Sequence, residues 1–283
     1  MNINTMCVIG AGTMGVGIAQ VTVQAGMRVC LLDATEAAVA KGRHLLNTNL
    51  SGGIKRGKLT EERAATLQAS IEWSLDYEVL RQVDWVIEAV FEDLAVKREV
   101  LGKAAALVPE GVPVATNTST FVVKDLAAFF GRGEHFIGMH FFNPAPAMKL
   151  VEVVPTQETL PEVTAAAIEL CERMGKTPKI APDIPGFVVD RAYAALAAAA
   201  IEVWTLGGNA EAIDSSIEMG LGHRMGPLRT ADLVGLDIML AVQRSLYEQT
   251  GHPRFQVQPE FADMVESGKL GRKSGEGFYR YDE

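Results

Sequence analysis

Apolar and polar positions along the first two thirds of the chain alternate between strand-like and helix-like spacing. An apolar run over residues 6–9 enters a glycine turn, and Ile18, Ala19, Val21, Val23 and Ala25 then recur as on a helix. A second apolar run, 28–32, ends at Asp33. Helical patterns follow at 36–54 and after Thr60, a predicted N-cap. A central strand is expected at 83–90, a helix at 94–107 and a short strand at 112–116. Strands at 135–140 and 148–154 flank a segment whose Pro144 and Pro146 forbid a regular element, and a helix at 161–174 precedes a last strand near Lys179. Strand, helix, strand, helix in this order predicts an α/β, Rossmann-type doubly wound, mostly parallel sheet over residues 1–182.

From Phe187 onward the spacing is helical only, at 188–206, 209–219 and 228–250, so residues 183–283 are expected to form a smaller all-α domain. Its alanine-rich stretch, 192–200, reads as a tightly packed helix. A module of this size with so many small residues suits packing against a copy of itself, and a homodimer through this domain is expected.

The chain has 283 residues, 48% of them hydrophobic, which is ample for two packed cores. Its net charge of −9 argues against a nucleic-acid partner. No apolar run reaches the roughly 18 residues of a membrane span, and no targeting signal opens the chain, so a soluble cytoplasmic protein is expected. Cys7, Cys30 and Cys171 are odd in number and embedded in apolar sequence, as for reduced core thiols; their spacing suggests no metal site.

The glycine turn reads VIGAGTMG over residues 8–15. Gly10 permits the tight turn, Gly12 lets backbone approach a pyrophosphate, and Gly15 lets helix pack on strand, with Thr13 and Met14 opening the helix whose N–H groups face the phosphates. Asp33 follows about 20 residues later, where a ribose 2′-hydroxyl acceptor belongs, and a carboxylate there favours NAD over NADP. Ser119 lies just past a strand end and His140 ends another. Glu152 stands inside the apolar run 150–154, where burial without a partner is costly, and His140 is the natural partner. A histidine beside a nicotinamide, with a carboxylate fixing its tautomer, is what alcohol–ketone oxidation requires. Lys55, Arg56 and Lys58 form a basic cluster at a helix end; it reads equally as a polyanion seat or as solvated cations near a helix C-terminus.

These motifs, with IEAV at 87–90, NTS at 117–119, HFFNP at 140–144, LVEV at 150–153, IPGF at 184–187, DLVGLD at 232–237 and GRKSGEGFY at 271–279, resemble the L-3-hydroxyacyl-CoA dehydrogenase family over nearly the whole chain. The resemblance implies NAD, a coenzyme A thioester substrate and a dimer through the helical domain. It makes His140 the catalytic base, Glu152 its partner and Ser119 a contact to substrate and nicotinamide. It also places Glu92, Lys97 and Asn143 on NAD; by sequence alone the first two read as solvated charges at a helix start. The family's coenzyme A contacts fall on Asn49 and Arg56, beside Lys55. Related readings are oxidation of a hydroxy acid or sugar acid without coenzyme A, or a dinucleotide-binding protein that has lost its chemistry.

Asp190 departs from the family, which usually has asparagine in that motif, near the reacting carbonyl. An ionised carboxylate only accepts hydrogen bonds. Close to His140 it would raise the imidazole pKa and oppose enolate-like character; paired with Arg191 it would leave the site. The expected outcome is an upward-shifted pH optimum for oxidation, or weakened activity. Unchanged kinetics across pH in Asp190→Asn would contradict it.

Overall fold

The computed structural model describes residues 1–281. They divide into two compact units, residues 1–184 and a unit beginning at Pro185.

The first unit carries an eight-stranded sheet, β1 (Thr5–Ile9), β2 (Arg28–Leu32), β3 (Ile71–Ser74), β4 (Trp85–Glu88), β5 (Val114–Thr116), β6 (Phe136–Phe141), β7 (Leu150–Pro155) and β8 (Thr177–Ile180). Their order is β3-β2-β1-β4-β5-β6-β7-β8, the first six parallel. The reversal of strand order between β1 and β4 is where a doubly wound sheet opens its ligand crevice. β7 is antiparallel to β6 and parallel to β8. The doubly wound sheet expected from the spacing is therefore present. β3 was not anticipated: of its four residues only Ile71 is buried, so it has no apolar run to betray it.

Six helices connect the strands: α1 (Thr13–Gln24), α2 (Glu36–Lys55), α3 (Glu61–Ala69), α4 (Leu94–Leu107), α5 (Val123–Phe130) and α6 (Pro161–Arg173). Local chemistry starts them. Thr35, Thr60 and Asp93 accept first-turn N–H groups of α2, α3 and α4. α1 starts instead on Gly12, which has no side chain to cap it. Apolar side chains from both faces of β1 and β4 are fully enclosed, as befits central parallel strands covered on both sides.

The second unit contains α7 (Val189–Thr205), α8 (Ala210–Leu221), α9 (Pro227–Val234), α10 (Leu236–Thr250) and α11 (Pro259–Glu266). The single helix expected over 228–250 is two, because Gly235 takes φ +108° and ψ 124° between them. Buried Asp214 accepts from Leu228 N at 2.8 Å and Arg229 N at 2.9 Å, at the N-terminus of α9. Buried Asp232 accepts from the backbone of Phe278 and Tyr279, tying the final segment to the same helix. Isolated bridges join Gly271 to Glu276 and Glu276 to Arg280, so the unit is mainly, not purely, helical.

Candidate functional site

The glycine turn follows β1 at its carboxyl end. Gly10 has φ +111°, and a Cβ there would lie 2.5 Å from the Ala89 carbonyl oxygen at the end of β4. A Cβ on Gly15 would lie 1.8 Å from the Gly10 carbonyl oxygen, so turn and helix touch backbone to backbone. A Cβ on Gly12 would meet nothing within 4 Å: this glycine borders open space at the first turn of α1. Thr13 is exposed and Met14 half-buried beside it. Asp33, at the end of β2, accepts from Ala11 N and Ala34 N, both at 2.7 Å, and so fixes the turn to the neighbouring strand. This arrangement fits a dinucleotide: N–H groups and a helix dipole where a pyrophosphate would lie, a carboxylate where a ribose would.

At the next strand ends lies a network of charges. The Lys97 ammonium, on the first turns of α4, is fully enclosed and donates to Glu88 Oε1 at 2.8 Å and Oε2 at 3.0 Å, with Glu92 Oε2 at 3.2 Å. Glu88, the last residue of β4, also accepts from Thr116 Oγ1 and Val90 N. Glu92 Oε1 accepts from the Thr118 hydroxyl and from the N–H groups of Ser119 and Thr120. A carboxylate on α4's approach thus holds the turn that carries Ser119. Burial pushes the Glu92 carboxyl up, but Lys97 and these donors outweigh it and hold it below the ordinary value. Burial pushes Lys97 down, and the two glutamates overcome it and raise it. The solvated reading of Lys97 is therefore corrected, whereas Glu92 keeps a third of its side chain in solvent and is engaged on its other side. The burial of Lys97 had a signal: Glu88 closes an apolar strand, as Glu152 interrupts one, and needs a cation.

β6 and β7 supply the third group. Their antiparallel register sets His140 opposite Glu152, and both are buried, 5% and 2% exposed. Nδ1 of His140 lies 2.9 Å from Oε2 of Glu152. An ionised carboxylate can only accept, so Nδ1 carries the proton in that contact. The Phe142 ring stands 4.4 Å from the imidazole, and Asn117 Oδ1 accepts from Phe141 N at 2.9 Å, joining the ends of β5 and β6. Asn143, exposed, opens the following loop.

The strand ends thus carry Gly10, Gly12, Gly15, Asp33, Glu92, Lys97, Ser119, His140 and Glu152. Asn49, Lys55 and Arg56 stand exposed on the last turns of α2, the Arg56 guanidinium folded back over Gly52. Asp190 lies in the first turn of α7, in the helical unit, where Arg191 donates to the Pro185 carbonyl oxygen. Sequence reasoning missed Glu88, Thr116 and Thr118.

Removing one partner of an enclosed ion pair costs about 3–5 kcal/mol, because the other charge stays buried. Lys97→Met is expected to lose that much in denaturant unfolding, and adding Glu88→Gln to recover part of it; equal stability of the two variants would contradict the pairing. The sign of the pH dependence follows. Glu92 stabilises above the ordinary carboxylate range and loses this as pH falls through its lowered value; Lys97 stabilises below the ordinary lysine range and loses this as pH rises through its raised one.

Two domain models match in tandem, the 3-hydroxyacyl-CoA dehydrogenase NAD binding domain over residues 5–184 and the 3-hydroxyacyl-CoA dehydrogenase C-terminal domain over residues 186–281. A 3-hydroxybutyryl-CoA dehydrogenase of Clostridioides difficile is 37% identical over 98% of this chain and 99% of its own length. A probable 3-hydroxybutyryl-CoA dehydrogenase of Deinococcus radiodurans is 39% identical over 97% and 99%. The crystal structure of (S)-3-hydroxybutyryl-CoA dehydrogenase from Ralstonia eutropha superimposes with a TM-score of 0.92 at 40% identity, covering 100% of both chains. With both domain models matched in order and relatives aligned from end to end, the chain belongs to the 3-hydroxyacyl-CoA dehydrogenase family.

Proposed function

We propose that this protein oxidises an L-3-hydroxyacyl-CoA reversibly to the 3-ketoacyl-CoA, with NAD as cofactor and with His140 as the general base. The observation that carries the reading is the 2.9 Å contact between His140 Nδ1 and Glu152 Oε2 at the carboxyl edge of the sheet that bears the glycine turn. With Nδ1–H committed to Glu152, Nε2 is the nitrogen that takes the proton of the substrate hydroxyl. Glu152 then faces an imidazolium and stabilises it, and in the reverse direction Nε2 returns the proton to the ketone oxygen. NAD, when bound, supplies the two-electron acceptor. Gly12 and the first turn of α1 would hold its pyrophosphate and Asp33 its adenosine ribose, Glu92 holds the Ser119 turn in place, and Asn143 would be a further contact.

Asn49, Lys55 and Arg56 are the side chains for the coenzyme A moiety, their exposed position on α2 suiting a phosphate-bearing ligand that arrives from solvent. The acyl chain is short, the class named for the relatives. A dimer forms through the helical unit, whose surface exposes Leu206, Met219 and Leu221. A cytoplasmic setting agrees with three buried thiols that remain unpaired. Among the described residues no helix is long and apolar enough to cross a membrane.

Following NADH absorbance with acetoacetyl-CoA tests the activity. His140→Ala is expected to lower turnover by roughly 10²–10⁴-fold while NAD binding is retained; strong residual turnover would place the base elsewhere. Sedimentation at micromolar concentration is expected to give a dimer, and a monomer would remove that part of the reading.

A further inference from the structure

Lys176 is a buried charge that the reaction above does not use. It is 8% exposed, follows the positive-φ Gly175, and leads into β8. Its ammonium donates to the carbonyl oxygens of Ala145 and, at 2.9 Å, Met148. Both acceptors belong to the loop between β6 and β7. Burial pushes the ammonium below the ordinary lysine value, and neighbouring Lys149 adds to this. A cation kept at such a site holds its acceptors by strong, charge-assisted bonds.

The other side of that loop rests on the dinucleotide helix. Ala145 is buried, and a Cβ built on Gly17 of α1 would lie 3.0 Å from Ala145 Cβ and 3.3 Å from Pro146 Cδ. Gly17 stands two residues beyond Gly15, in the helix that begins at the glycine turn. Within the loop, Ala147 N and Met148 N both donate to the Pro144 carbonyl oxygen, closing it into one turn. Its first residue, Phe142, lies against the His140 ring. The loop is thus gripped by Lys176, seated on α1 at a glycine where a Cβ would press on it, and continuous with the strand of His140.

We propose that Lys176 is a positioning residue: by clamping the 142–148 turn onto Gly17 of α1 it sets the wall of the dinucleotide crevice beside His140, and so governs affinity for NAD rather than proton transfer. The inference rests on the dehydrogenase reading only for its kinetic arm, because dinucleotide binding is measured without substrate.

The test is NADH affinity by fluorescence titration in Lys176→Met, Gly17→Ala and the double variant, with circular dichroism to establish folding. Gly17→Ala pushes the turn by a few tenths of an ångström from the opposite side. It leaves the lysine intact, and carries the test alone if Lys176→Met does not fold. Each single change is expected to weaken NADH binding roughly tenfold and raise KM for NAD similarly, with kcat within about threefold of the parent. The double variant is expected to bind within about twofold of the weaker single one, because both act through one turn. Parent-like NADH binding in the folded variants, losses that multiply in the double variant, or a fall in kcat with unchanged binding would each overturn the proposal. Weakened NADH binding in the variants of a parent that fails to turn over acetoacetyl-CoA would overturn the dehydrogenase reading and leave the clamp standing.

Discussion

The carboxyl edge of the sheet is arranged around a buried carboxylate. Glu152 is almost wholly enclosed, and an ionised group in that position is costly unless a donor meets it. The donor is His140, and it arrives because β7 runs antiparallel to β6 in a register that makes the two residues direct partners. A one-residue slip would turn one of them to the other face of the sheet and leave the acid alone. The strand reversal at this end of an otherwise parallel sheet is therefore the feature that creates an imidazole of defined tautomer at the carboxyl edge.

The same logic recurs along that edge. Lys97, enclosed between Glu88 and Glu92, ties the end of β4 to the turn after β5, and Asn117 ties that turn to the end of β6. Lys176 reaches the loop that leaves β6. Loops that hold reacting groups are normally the mobile part of a doubly wound protein. Here the turn after β5 is held by Glu92, itself paired with the enclosed Lys97, and the loop after β6 by the buried Lys176, so charged hydrogen bonds add to apolar packing in fixing both loops.

What the sequence revealed followed from how local each signal was. The glycine turn and Asp33 lie within one βαβ unit, where order and spacing suffice, and their contact through Ala11 N is a local consequence. Glu152 was legible because a carboxylate in an apolar strand demands a partner. Glu88 posed the same demand, but its partner lies on a helix start where lysine and glutamate ordinarily mean solvent, and only three-dimensional packing shows the enclosure. β3 stayed hidden because a short edge strand with one buried residue has no periodicity. The break at Gly235 was hidden for a related reason, since helical spacing continues across a single positive-φ residue. Lys176 gave no signal at all: its acceptors are backbone carbonyls, which every sequence has.

The state of the His140 ring is the most direct measure of this account. Heteronuclear NMR of the imidazole nitrogens in the free enzyme, at a pH where the ring is neutral, is predicted to show the proton on Nδ1 and a bare Nε2, with that preference weakened in Glu152→Gln. A ring protonated on Nε2, or a tautomer indifferent to residue 152, would contradict it.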